Sequence, residues 1–161
     1  MTDQEDRGMS YWRTAPELPP EIFAVLRKAN RAINPVAIVA TLDPDGSPHT
    51  APFGSLRATT PRQLRMCCFR HHDTLANIAR DGRVMAAVVW PPNVAVSISG
   101  RARIAKEHMD TDEDYAMLEI DIEEVKNDMV RAGTIEGGIV FTPLAELKEW
   151  FDVALAELET K

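Results

Sequence analysis

Apolar residues between Val36 and Trp90 come in short runs separated by turn-forming residues, a pattern of strands rather than long helices. Val36–Leu42 is apolar at nearly every position, as in a strand covered on both faces. Asp43-Pro44-Asp45-Gly46 predicts a tight turn, because proline presets φ and glycine accepts a positive one. The next run, Ser47 to about Leu56, carries Pro48 and Pro52. Neither can donate to a ladder, so this strand belongs at a sheet edge or where a partner is missing. Thr59-Thr60-Pro61-Arg62 predicts a second turn and Gln63–Arg70 a third strand. Leu75, Ile78 and Ala79 then form the stripe of a short helix. Asp73 is placed to cap it, and Gly82 to end it in a left-handed conformation. Val84–Trp90 predicts another strand, stopped by Pro91-Pro92. From Val94 to Ile104 the alternation is clean, with Val96, Ile98, Gly100, Ala102 and Ile104 on one face and Ser97, Ser99, Arg101 and Arg103 on the other.

The flanks are less regular. Met1 to about Pro16 is polar and predicts a flexible tail that Tyr11-Trp12 could pin, leaving one domain over residues 17–161. Leu18-Pro19-Pro20-Glu21 opens a helix, since proline is tolerated in a first turn, and Ile22, Val25, Leu26 and Ala29 continue it until Asn34-Pro35. Residues 111–129 fit two patterns: Tyr115, Leu118, Ile122, Val125 and Met129 at helical spacing, or Leu118, Ile120 and Ile122 at strand spacing. The cluster of β-branched residues favours a helical turn near Thr111–Met117 and then a strand through Val125. Gly137-Gly138 precedes a short predicted strand, Ile139–Thr142. Pro143 opens a final amphipathic helix with Leu144, Leu147, Trp150, Phe151, Ala154, Leu155 and Leu158 on its apolar face. The sum is a mainly β chain with peripheral helices (α+β), six to seven antiparallel strands that close or nearly close a small barrel.

Composition narrows the function classes. At 161 residues with 45% apolar content, one domain can bury a sizeable core. A net charge of −7 lacks the basic footprint of a nucleic-acid binder and suits an anionic membrane surface no better. No apolar run approaches the ~20 residues of a membrane span, and the N-terminus has no apolar signal-peptide core, so a cytoplasmic location is expected. Cys67 and Cys68 are adjacent, and neighbouring strand residues point to opposite faces, so they are expected as buried free thiols rather than a disulfide. His49, His71, His72 and His108 match no closed metal set, and neither cysteine has a CxxC partner, so no metal is expected. No Ser-His-Asp order or nucleophile elbow supports a hydrolase.

The chemistry concentrates where the third strand runs through Arg70-His71-His72-Asp73 into a helix. A helix N-terminus offers unpaired N–H groups and a partial positive charge to an anion. Thr74 adds a hydroxyl, and Arg70, His71 and His72 add charge-assisted bonds, whereas Asp73 competes for the same donors. The opposing reading is a capped helix with exposed histidines.

Three stretches taken in order carry a resemblance: Val36–Pro48 with its Asp-Pro-Asp-Gly turn, the junction ending in Thr74-Leu75-Ala76-Asn77-Ile78, and Gly82-Arg83-Val84 leading to Trp90. Together they resemble the pyridoxamine 5′-phosphate oxidase-like family of FMN-binding split β-barrels. The resemblance implies a homodimer with FMN at the subunit interface, passing electrons or hydride between a nicotinamide donor and a small acceptor. It points to Arg70, His71, His72, Thr74 and Asn77 for the phosphate end and to Thr50, Ser55 and Trp90 for the ring. His72 stands where the family usually has serine, and Ala51 and Leu56 stand where the oxidase branch has an arginine and a lysine, leaving Arg57 as the nearest replacement. The oxidase's C-terminal Arg-x-His-Asp-Arg core is absent, the chain having Trp150-Phe151-Asp152-Val153-Ala154 instead, so true pyridoxamine-phosphate oxidase activity is not expected. The alternatives are a deazaflavin (F420)-dependent reductase on the same fold and a cofactor-less barrel serving as an interaction module. Haem, bound through a histidine in some relatives, has no marked axial ligand here.

Overall fold

In the computed structural model, residues 12–160 are described. The elements are β1 (Thr14–Ala15), α1 (Pro20–Arg27), β2 (Ala37–Leu42), β3 (Pro48–Phe53), β4 (Arg57–Thr60), β5 (Gln63–Phe69), α2 (Asp73–Arg80), β6 (Arg83–Trp90), β7 (Val94–Lys106), β8 (Tyr115–Asn127) and α3 (Lys148–Leu158). The eight strands pair antiparallel in one sheet, ordered β3-β2-β6-β7-β8-β5-β4, with β1 added on β8. This is a split β-barrel. Its core is built from the inward residues of the long strands, among them Val39, Leu64, Met66, Ile98, Leu118 and Ile120, all fully buried.

Pro48 and Pro52 do lie on an edge strand, β3, with β2 as its neighbour. The Asp43–Ser47 turn closes as expected, Gly46 N–H donating to Asp43 O. The second strand, however, stops at Phe53. The apolar pattern continues through the Gly54-Ser55 corner, and Arg57–Thr60 becomes a separate strand that pairs with β5 at the opposite edge. β2 is buried on its inner face only, alternating with half-buried positions on the outer one.

Several local expectations are corrected. The cap of α2 is His72, not Asp73, which sits inside the first turn. The helix leaves through Asp81 in an extended conformation, not through a left-handed Gly82. Glycine is needed at 82 for another reason: a Cβ there would lie 2.7 Å from Ala102 O. Residues 115–127 are strand throughout, and the expected helical turn before them is a tight turn in which Asp112 Oδ1 accepts from Asp114 N. Ile139–Thr142 joins no ladder. It crosses the surface as an extended strap, with Val36 N–H on Ile139 O and Asn34 bonded to Phe141 in both directions. Leu144 and Leu147 remain exposed, and α3 docks through Ala154, Leu155 and Leu158, against Cys67, Met109 and Met117, with Trp150 packed at the edge of the same cluster on Tyr115. At the other end, Thr14–Ala15 pairs with Lys126 and Val125, and Trp12 Nε1 donates to Glu21, while Tyr11 lies outside the described residues.

Both cysteines are buried and free, and burial, helped by Cys67, pushes the Cys68 thiol up to about 12. Among the described residues, no helix is long and apolar enough to cross a membrane.

Candidate functional site

The junction between β5 and α2 is shaped by its cap. His72 has extended backbone, and its Nδ1 accepts from Thr74 N at 3.1 Å, satisfying one of the otherwise unpaired donors of the first turn. The same imidazole makes edge contacts with Phe53 and His49 on β3, ring centroids 6.0 and 6.3 Å away. His49, Ala51 and Phe53 alternate on β3, so the inner face of this edge strand lies beside the start of α2.

Three buried side-chain polar atoms have no hydrogen-bond partner among the described residues, and two of them flank His72: Thr74 Oγ1 and His49 Nε2. Thr74 is fully buried, and His49 Nδ1 lies 3.9 Å from Asp43. Leaving a buried polar atom unpaired costs about 1–3 kcal/mol, and such atoms mark places where a polar ligand or water is accommodated.

The other residues expected at a cofactor site are held elsewhere. Arg70 donates to Glu107 O at 2.6 Å and lies 3.7 Å from the Glu107 carboxylate, which turns it toward the loop between β7 and β8. His71 is exposed and packs on Phe69. Asn77 is buried and ties α2 to the β2–β3 turn through Thr41 Oγ1 and Asp43 Oδ1, both at 3.0 Å. Ser55 exchanges bonds with the backbone of Cys67. Thr50 is exposed on the outer face of β3. Trp90 is partly covered by Gly138, where a Cβ would lie 2.5 Å from the indole.

Arg57 is buried, at 1% exposure, and donates to Ser55 O, Ala32 O and Glu159. Beside it lies Lys28, also buried, with Nζ on Gly54 O. Burial and then the Arg57 charge pull the Lys28 ammonium down to about 7. Ala51 and Leu56, at the two positions where the resemblance sets basic side chains, are buried in the core.

The structure therefore brings together His72, Thr74, His49 and Phe53. The last two were not read as site residues. Their signal was the two-residue alternation along a proline-marked edge strand, which sets both on the face toward α2. Among the described residues, no group of three metal-ligating side chains forms. The arrangement offers an anion one unpartnered neutral donor, Thr74 Oγ1–H, and a second, Thr74 N–H, once it exchanges His72 Nδ1 for the anion. A phosphate group suits those donors, though without a guanidinium or ammonium aimed at it.

A split barrel with a histidine-capped helix start beside its edge strand defines the class. The sequence profile of the pyridoxamine 5′-phosphate oxidase family matches residues 18–128, and the chain belongs to that family. No curated protein matches the chain. A candidate pyridoxamine 5′-phosphate oxidase from Lactobacillus delbrueckii shares the fold at a TM-score of 0.57 and 22% identity, over 71% of this chain and 98% of that one. HupZ of Group A Streptococcus aligns at 0.53 and 21% identity, over 68% and 96% of the two chains. An F420 reductase aligns at 0.55 and 14% identity, over 69% and 100%. At these identities the likeness is one of fold.

Proposed function

We propose that the chain is an FMN-binding oxidoreductase that acts as a homodimer and passes electrons or hydride between a nicotinamide donor and a small acceptor. The observation that carries this reading is the buried, unpartnered Thr74 hydroxyl in the first turn of α2, beside an imidazole cap. The flavin, when bound, supplies the redox chemistry. The chain's part is to hold the phosphate with Thr74 N–H and Oγ1–H, to flank it with His72 and His49, and to offer Phe53 as an apolar wall. The reading differs from pyridoxamine-phosphate oxidase itself because that enzyme's C-terminal substrate motif is missing. The buried Ala51 and Leu56 favour a second reading, a barrel without cofactor acting as an interaction module.

Purified protein is expected to show flavin bands near ~370 and ~450 nm, or to acquire them with added FMN. A single band near ~420 nm would indicate a deazaflavin instead. A protein that stays colourless with FMN would favour the module. Thr74→Val removes the hydroxyl and keeps the shape. It should stabilise the ligand-free protein by about 1 kcal/mol and weaken FMN roughly fivefold, with riboflavin unaffected. Equal weakening of both ligands would place Thr74 away from the phosphate.

Support for the dimer comes from the outer face of β6. Met85 and Val89 are 41% and 48% exposed there, with exposed Ala87 between them. In register beside them stand Ile38 and Ala40 of β2 and Ser97 and Ser99 of β7. An apolar face on a central strand marks an interaction surface, and two-fold dimers are the commonest closed assembly. Ala87→Arg is expected to halve the mass measured by sedimentation at micromolar concentration. A monomeric wild type would sink the dimer.

A further inference from the structure

We propose that phosphate capture at the start of α2 is coupled to uptake of one proton by His72: the anion takes over Thr74 N–H, and the imidazole leaves its capping position as a cation. The inference rests on the FMN reading and adds how that site is regulated.

Two features carry it. The first is the cap. His72 Nδ1 accepts from Thr74 N, so in the ligand-free protein that nitrogen is unprotonated. An imidazolium has two donors and no acceptor, so capping the helix and carrying a charge exclude each other. An incoming phosphate oxygen can replace Nδ1 as the acceptor, and it also meets the buried Thr74 hydroxyl that now lacks a partner.

The second is the charge of the surroundings. A phosphate monoester is close to a dianion above pH 7, its second pKa lying near ~6. The guanidinium groups nearby are engaged: Arg70 with Glu107, Arg80 with Leu42 O and Asn77, and Arg57 in its buried cluster with Glu159. Ala51 and Leu56 supply no charge. Arg80 keeps its charge but is held in the last turn of α2, so the positive charge that adjoins Thr74 comes from imidazole, the side chain that titrates in this range. The groups facing His72 are mixed: the start of α2 and the His49 ring disfavour its charge, Asp73 and Asp43 favour it, and the incoming phosphate tips the balance. From β3 these are His49 and the apolar Phe53, with Asp43 3.9 Å from the His49 ring, and on its own element Asp73 follows directly. The proton comes from solvent, and the product is an imidazolium–phosphate pair.

Calorimetric titration of the full chain with FMN between pH 7 and 8.5, in two buffers of different ionisation enthalpy, tests this. The wild type should take up close to one proton per FMN, and its affinity should fall about tenfold per pH unit at the upper end. His72→Asn keeps an uncharged capping acceptor and should abolish both the uptake and the slope. His108→Gln, at a histidine of the loop between β7 and β8, should leave them in place. Riboflavin, with no phosphate, should show no uptake with any of the three proteins. FMN binding by the wild type without buffer dependence overturns the inference alone. So does uptake that survives in His72→Asn, or that is lost in His108→Gln instead. Failure to bind FMN at any pH overturns the FMN reading and the inference with it.

Discussion

Lys28→Met is expected to stabilise the protein by about 3 kcal/mol at pH 7 and to lose most of that advantage near pH 10.5. Lys28 ends α1 with its side chain buried at 3% exposure, its Nζ on a single carbonyl, Gly54 O, and Arg57 as its charged neighbour. One carboxylate, Glu159, serves this pair of cations, and it is bonded to Arg57. Burial, and after it the Arg57 charge, brings the lysine from 10.5 down to about 7. The sign follows from proton counts. Between those values the unfolded chain holds a proton that the folded chain has released, so wild-type stability rises with pH across this window. Below pH 7 both states are protonated and the penalty is fully present. Methionine matches the stem, fills the same space and carries no proton. Its backbone cost at this left-handed position (φ 50°) is the same as lysine's. Urea unfolding of both proteins at pH 6.5, 8 and 9.5 should show a gap that closes with rising pH. A gap that stays constant, or a less stable variant at pH 7, would show that Lys28 stabilises through its hydrogen bond.

What could be read from the chain, and what could not, divides along a physical line. Features set by backbone chemistry were legible. Pro48 and Pro52 cannot donate to a ladder, and they mark the edge strand. Asp43-Pro44-Asp45-Gly46 forms its turn, and the alternation from Val94 continues into a long strand. Features decided by tertiary contact were not. β4 is invisible as a separate strand because Leu56, Arg57 and Ala58 are all buried and prolong the preceding apolar pattern. Arg57 looks like an exposed turn arginine until Ala32 and Glu159, far away in the chain, close around it. Asp73 is the better capping residue by propensity, but His72 holds the extended backbone conformation that the cap requires. The strap at 139–142 has β-branched composition, yet its backbone bonds go to Val36 and to the Asn34 side chain instead of a ladder.

The same distinction runs through the candidate site. The junction itself follows from local order, a strand running into a helix. Its neighbours do not: His49 and Phe53 come from a strand about twenty residues earlier, brought in by the β2–β3 hairpin. Arg70, the obvious cation by sequence, is drawn off by a loop whose position is fixed at the far end of the chain.

That fixing point is Glu157, and Glu157→Gln is expected to cost about 2–3 kcal/mol at pH 7 while loosening the loop that holds Arg70. Glu157 projects from α3, and its side chain is only 9% exposed. One carboxylate oxygen accepts from Thr111 N and Thr111 Oγ1, both at 2.7 Å, and the other from Asp110 N at 2.9 Å and Lys106 Nζ at 3.0 Å. Burial opposes its ionisation, but the bonds from Asp110, Thr111 and Lys106 outweigh it and hold the carboxyl near about 2. Glutamine must point its amide N–H groups at donors on one side or the other, so at least one set is lost along with the charge. The folded value lies below the ordinary 4.5, so the stabilisation is fully present above pH 4.5 and disappears as pH falls toward 2. The gap between wild type and variant in urea midpoints should therefore narrow across that range. The loop at residues 107–114 also accepts from Arg70, through Glu107 O and Asp114 O. Faster amide exchange at residues 110 and 111 in the variant should thus be accompanied by greater mobility of Arg70. A gap that persists unchanged down to pH 2, or amides at 110 and 111 that exchange as slowly as in the wild type, would show that Glu157 does not anchor the loop.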